Sequence, residues 1–286
     1  MLLTILIIAG SFPVGEAITN DLSPATLMFV RFILAALLFA PYIFIKHKLH
    51  SPTRRQFTNY AILSIPLVVF FWCMFESLRY TSALNTGALY TLVPAITAIY
   101  ALFINGEITN RFRSFGLIVG TIGALWIVFR GDYVALMGLD LNYGDFIFLL
   151  GCFLFGLYNP LIKKLYSGEP MEVMTFWILL FSAFWFLIIS GKDVLQVNWF
   201  SISNNVYHGI LYLTIFATLL SFYFLQLAIV KIGATKVAAY SFLTPLFVIL
   251  INISFGLGEF ELATLPGIIL VIAAMFIIQK ESKPLP

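Results

Sequence analysis

Runs of apolar residues, broken only by charges, prolines or glycines, cover almost the whole chain. They fall at 2–19, 25–45, 59–79, 83–105, 112–130, 145–163, 171–190, 206–230, 235–256 and 263–279. Each has roughly the 20 residues that a helix needs to cross the hydrocarbon of a bilayer. The apolar positions are continuous rather than alternating, which predicts helices instead of barrel strands. The stretches between them are too short for a soluble domain. The pattern therefore predicts an all-α membrane protein of ten transmembrane helices.

Composition agrees: of 286 residues, 61% are hydrophobic and 10% charged. A soluble protein carries about 25% charged residues to cover its surface. The net charge of +3 invites a nucleic-acid partner, but its distribution points elsewhere. With the N-terminus inside, the inner segments hold Lys46, Lys48, Arg54, Arg55, Arg111, Arg113, Lys163, Lys164, Lys231, Lys236, Lys280 and Lys283. The outer loops hold only Arg79, Arg130 and Lys192. This positive-inside bias predicts cytoplasmic termini and ties the basic excess to topology, with no nucleic acid involved. The opening residues lack a basic start and an A-x-A site, and Glu16 interrupts them, so they read as a first helix and not a leader. Cys73 and Cys152 both fall within spans, which argues against a disulfide framework.

An internal echo organises the chain. "ALNTGALYTLVP" (83–94) lies over "ATKVAAYSFLTP" (234–245) at an offset of 151, matching Ala83/Ala234, Ala88/Ala239, Leu92/Leu243 and Pro94/Pro245. Glu107 follows Pro94 by 13 residues and Glu259 follows Pro245 by 14. A glycine, Gly116 or Gly267, then opens the next run, and "AGSFPV" (9–14) echoes "FGLYNP" (155–160) with Gly10 over Gly156. Two units result, 1–130 and 145–280. Five helices per unit is odd, so the second unit enters from the opposite side. The expectation is two inverted five-helix repeats around a central cavity, an architecture suited to alternating access. The plainer reading is a duplicated bundle that is merely a stable fold.

The stretch "ESLRYTSALNTGALYTLVPAITAIYALFINGEITNRFRSFGLIVGTIGALWIV" (76–128), with its small-residue run, mid-helix proline and Gly106-Glu107 exit, is similar to the EamA repeat of the drug/metabolite transporter superfamily. "GATKVAAYSFLTPLFVILINISFGLGEFELATLPGIILVIAAM" (233–275), with Gly258-Glu259, repeats it. The resemblance spans nearly the whole chain. It implies ten helices, cytoplasmic termini, a bacterial inner membrane, a central solute pathway and a secondary transporter of metabolites such as amino acids, commonly an exporter. Glu76 departs from the family, which generally has a neutral residue there.

Several residues invite chemistry. Pro94 and Pro245 are hinge candidates or fixed kinks. Gly116, Gly120 and Gly123 share a helix face for close packing, within the chain or in a dimer. Glu107 and Glu259 read as structural helix-end groups. Trp72, Glu76, Arg79 and Tyr80 share another face; Tyr223 aligns with Trp72, and Gln226 lies one residue short of the Glu76 position. Glu76 is either Arg79's partner or a carboxylate facing the pathway. Glu16 raises the same question. If both acids face one cavity, repulsion and desolvation favour proton uptake and hence proton coupling. Arg31, alone within its span, neutralises one of them, forms a structural ion pair or snorkels. Tyr90, Tyr158, Asn159, Tyr223 and Tyr240 are polar groups able to line a cavity for an amphipathic solute, and Tyr158-Asn159-Pro160 is expected to break its helix.

No G-x-x-x-x-G-K-[ST], H-E-x-x-H or G-x-S-x-G motif occurs. His47, His50 and His208 lie in loops or at span ends, unsuited to a metal cluster. The sequence thus points to a carrier without cofactor or metal, whose partners are a small solute and the bilayer, as monomer or homodimer. A channel-like facilitator and a membrane-embedded enzyme are the alternatives.

Overall fold

A computed structural model of the chain describes residues 1–47, 52–81, 83–108, 110–138, 141–256 and 261–280. Lys48, His50, Gly258, Glu259 and Lys283 lie outside the described residues. All regular structure among the described residues is helical: α1 Leu2–Ile18, α2 Pro24–His47, α3 Arg54–Ser77, α4 Ala83–Tyr90, α5 Val93–Asn105, α6 Arg111–Val128, α7 Tyr133–Met137, α8 Tyr143–Leu165, α9 Met171–Ser190, α10 Asp193–Gln196, α11 Asn204–Thr214, α12 Ser221–Ile232, α13 Ala234–Ala239, α14 Thr244–Ser254 and α15 Leu265–Gln279. Nine helical stretches among the described residues are long and apolar enough to span a bilayer, and α1 is a shorter apolar helix of 17 residues. Phe103, Phe112 and Phe276 are at least 76% exposed. Such side chains at the outside of a bundle require lipid as solvent.

Three predicted runs are interrupted where the backbone needs it. The run 83–105 is two helices, α4 and α5, with Thr91 and Leu92 between them. The run 235–256 is α13 and α14, joined by a 3-10 turn over Tyr240–Leu243. Pro94 and Pro245 thus occupy the second position of a new helix rather than kinking a continuous one. Their missing N–H is harmless there, because the first turn has no intrahelical acceptor for it. The run 206–230 is α11 and α12 with a π-helical stretch, Ile215–Leu220, between them. Pro160, expected to break its helix, lies inside an unbroken α8. Its carbonyl oxygen accepts from Asn105 Nδ2 at 3.1 Å.

Polar bonds gather the helix ends into two groups. At one end, Lys46 of α2 meets Glu172 of α9 at 2.8 Å, and Lys163 of α8 meets Glu107 beyond α5 at 2.8 Å. Asn59 of α3 donates to Leu165 O, and Gln279 of α15 to Lys236 O. At the opposite end, Asp145 of α8 accepts from Thr81 Oγ1 at 2.5 Å and Asn85 Nδ2 at 3.2 Å, while Arg130 pairs with Glu261 at 2.9 Å. Residues near the end of α2, α5 or α8 thus meet residues near the start of α3, α9 or α13, as expected for helices that cross one after another.

Between the two ends, α2 packs on α9, α6 on α15, α3 and α5 on α8, and α1 on α11 and α14. The α6–α15 seam carries the glycine face: a Cβ added at Gly116 would meet Ile278, and one at Gly120 would meet Phe242. That face packs within the chain. The largest apolar core centres on aromatic rings, with Phe70 stacked on Phe155 at 4.4 Å between centroids and Phe32 against Phe71, Phe186 and Phe222.

Candidate functional site

A cavity of about 270 Å³ opens between α1, α4, α6 and α14, towards the end that holds Arg130. Glu16 and Pro13 of α1, Tyr90 of α4, Ser241, and Thr244 and Pro245 of α14 belong to its wall. Glu16 is exposed, whereas the hydroxyls of Ser241 and Thr244 are buried without a hydrogen-bond partner. Leaving a buried hydroxyl unpaired costs about 1–3 kcal/mol, so two beside one cavity are polar groups in want of a ligand.

Phe12 and Tyr90 form the floor. Their rings stand edge to face with centroids 5.7 Å apart, and both also line a second void of about 30 Å³. That void has room for about one water. Arg31, Phe71, Phe155 and Phe222 are among the other residues of its wall.

Arg31 is 1% exposed. Its Nε donates to Thr218 Oγ1, its Nη2 donates to Ala217 O at 2.8 Å, and its Nη1 faces the weak acceptor Met28 Sδ at 3.9 Å. The guanidinium lies 4.7 Å from the Phe71 ring centroid, a cation–π contact. No carboxylate pairs with it among the described residues. The π-helical stretch provides the acceptor. Ser221 N–H bonds the carbonyls of Phe216 and Thr218 and passes over Ala217 O, its usual α-helical partner. The freed carbonyl turns to Arg31.

The other predicted site residues lie elsewhere in the bundle. Tyr158 is fully buried and accepts from Gln226 Nε2 at 3.0 Å, while Thr175 Oγ1 donates to Gln226 Oε1 at 2.7 Å. Tyr158 joins Tyr90 through stacked Phe155, at 6.1 and 6.3 Å between centroids. Asn159 donates to Thr97 Oγ1 at 3.3 Å and leaves its own Oδ1 unpaired. Trp72, Tyr223 and Tyr240 are partly buried against the cores. Glu76 sits at the end of α3, 3.4 Å from Arg79 Nη1, and accepts from Tyr80 Oη at 3.3 Å. Of the predicted solute-binding residues, Glu16 and Tyr90 line the larger cavity, with Pro245 beside them; Trp72, Glu76, Tyr158, Asn159, Tyr223, Gln226 and Tyr240 line neither void. Phe12, Ser241, Thr244 and Thr218 escaped the sequence reading, since single hydroxyls and one Phe among 30 carry no signal.

At the opposite end Glu107 acts as a clasp. It accepts from Lys163 Nζ and, at 3.3 and 3.4 Å, from the backbone N–H groups of Ala234 and Thr235. Burial works against its charge, but the Lys163 bond and those two N–H groups win, holding its carboxyl below the usual range.

A bundle of long apolar helices with large apolar side chains on its outside is an integral membrane protein, here with a cavity between its helices. The chain belongs to the EamA-like transporter family, part of the drug/metabolite transporter superfamily, which matches residues 1–129 and 142–279. An "Uncharacterized transporter" of Archaeoglobus fulgidus is 27% identical over 249 residues, covering 86% of this chain and 84% of that one. "Uncharacterized transporter YyaM" of Bacillus subtilis is 25% identical over 260 residues, covering 90% and 85%. A protein crystal structure superposes with a TM-score of 0.78 at 14% identity, over 96% of this chain and 93% of the other, and shares the fold. The protein is thus a membrane transporter of the drug/metabolite type.

Proposed function

We propose that the chain is a secondary-active exporter of small amphipathic metabolites such as amino acids, working by alternating access in a bacterial inner membrane with both termini in the cytoplasm. One observation carries the reading. Pair α1 with α8, α2 with α9, α3 with α11–α12, α5 with α14, and α6 with α15; exchanging the partners then turns the main helix contacts of the bundle into one another. The contacts α2–α9 and α6–α15 map onto themselves, α3–α8 maps onto α1–α11, and α5–α8 onto α1–α14. That exchange supports two five-helix repeats, 1–130 and 145–280, inverted because five is odd. Two equivalent arrangements of one scaffold are what alternating access needs.

In this conformation the cavity opens at the Glu16 end, proposed as the outer side, and the Glu107 clasp closes the cytoplasmic end. Glu16 meets a solute's ammonium group or a proton, and Tyr90 with the Ser241 and Thr244 hydroxyls orients its polar atoms. Pro94 and Pro245, at helix breaks, supply the hinges. Glu76 stands at the same end as Arg79's partner.

Counterflow from proteoliposomes tests this. A carrier gives saturable uptake accelerated by the same solute on the opposite side. Conductance without counterflow would mean a channel-like facilitator, and product formation in detergent an enzyme.

A further inference from the structure

From the geometry of Arg31 we infer that the solute carries a carboxylate, and that Arg31 is its binding residue behind the Phe12–Tyr90 pair. The inference deepens the transport reading above and rests on it. A guanidinium offers five N–H donors in a planar fork. Here Thr218 and Ala217 take one N–H each, and among the described residues the only other hydrogen-bonding neighbour is a thioether sulfur, with the Phe71 ring against the guanidinium. A buried cation left without its counter-charge costs several kcal/mol. Among the described residues no acid offsets it; Glu16, on the larger cavity, is exposed and has no bond to Arg31.

The surroundings define what the counter-charge is attached to. Phe71, Phe155, Phe222 and Met74 line the void with Arg31, so a ligand's carboxylate would arrive with apolar or aromatic carbon around it. Carboxylate and guanidinium match two N–H to two oxygens, a geometry that specifies the group as well as attracting it. The void holds about one water in this conformation, and the Phe12–Tyr90 pair separates it from the open cavity. Parting those two rings joins the two spaces. A solute reaching from one to the other would then set its acid on Arg31 while its remaining polar atoms meet Ser241, Thr244 or Glu16.

The test uses the full chain in detergent and in liposomes, in gluconate buffer, with phenylacetate, its neutral twin phenylacetamide, and chloride as probes. Thermal-shift titration should give wild type a preference for phenylacetate over phenylacetamide of at least about tenfold, the scale of a charge-assisted hydrogen bond. Arg31→Gln should bring the two within about twofold by removing that bond. Equal binding of acid and amide by wild type would overturn the inference even if the variant fails to fold. So would protection by chloride matching that by phenylacetate, which would assign Arg31 to an inorganic anion. Counterflow in the same liposomes separates the two readings. Selective acid binding without flux keeps the Arg31 site and sinks the carrier, whereas flux confined to amines or neutral solutes keeps the carrier and sinks the Arg31 site.

Discussion

Gly123 of α6 and Gly267 of α15 face each other so closely that a side chain on either would strike the other's backbone. A Cβ at Gly123 would lie 2.9 Å from Gly267 O, and one at Gly267 would lie 2.7 Å from Gly123 O. Without a strong hydrophobic drive between helices in lipid, such close approach is a main source of association. Gly123→Ala should therefore lower stability by about 1–3 kcal/mol, the usual cost of overpacking. Gly87→Ala is the control: its Cβ would meet only Val128, at 3.8 Å. Thermal midpoints of the two variants in detergent should move apart, the first down and the second unchanged or slightly up.

The Glu107 clasp should loosen in acid. Its carboxyl is held below the ordinary value of 4.5, so the bond's stabilisation is fully present above that value. It is lost as pH falls through the lower folded value, since the unfolded chain then takes up the proton first. Glu107→Gln should cost about 1–3 kcal/mol at neutral pH by weakening a charge-assisted bond. That difference from wild type should shrink as pH is taken below the ordinary carboxylate range. Thermal midpoints of both proteins across pH 3–7 give the comparison, a window set around 4.5.

Glu16 and Glu76 should separate in transport assays. Glu76→Gln loosens a 3.4 Å pair whose Arg79 end is exposed, worth about 0–1 kcal/mol, and should leave flux and its pH dependence near wild type. Glu16→Gln changes the rim of the cavity and should lower flux or flatten its pH profile. The reverse outcome would return the pathway role to Glu76.

Topology is open to cysteine labelling. Val134 of α7 is 79% exposed, and Ser167, after α8, is exposed at the Lys163 end. Cys73 and Cys152 are buried and should stay silent. An impermeant maleimide on intact cells should label Val134→Cys and spare Ser167→Cys. Labelling of both from one face would contradict the proposed orientation.

Much of this architecture is legible in the sequence because lipid permits few solutions. Apolar runs such as 25–45 and 171–190 become α2 and α9 with ends shifted by two residues or fewer. Glu107 reads as a helix-end group because its neighbours, Gly106 and the next loop, are visible in one dimension. The interior polar contacts are harder to see. Asn159 and Thr97 lie 62 residues apart, and Arg31 and Thr218 lie 187 apart, so only folding brings them together. Arg31 announces itself as a lone charge in a span; that its acceptors are a hydroxyl and a carbonyl, with no acid, does not. The π-helical stretch has no sequence mark at all, since "IFATLL" would continue an ordinary helix as readily.

That stretch makes the length of one helix a functional variable. A π-helical insertion amounts to one residue more than the α-helix on either side requires, absorbed without re-aiming its flanks. Removing a single residue within Ile215–Leu220 would close the turn, return the Ala217 carbonyl to its own helix, and still leave Tyr212 and Gln226 directed at Ile7 and Tyr158. A deletion in the middle of a membrane span, ordinarily ruinous, should here spare the fold and strip the guanidinium of one anchor. The spare residue is in effect a tuning screw for the charge on the neighbouring helix.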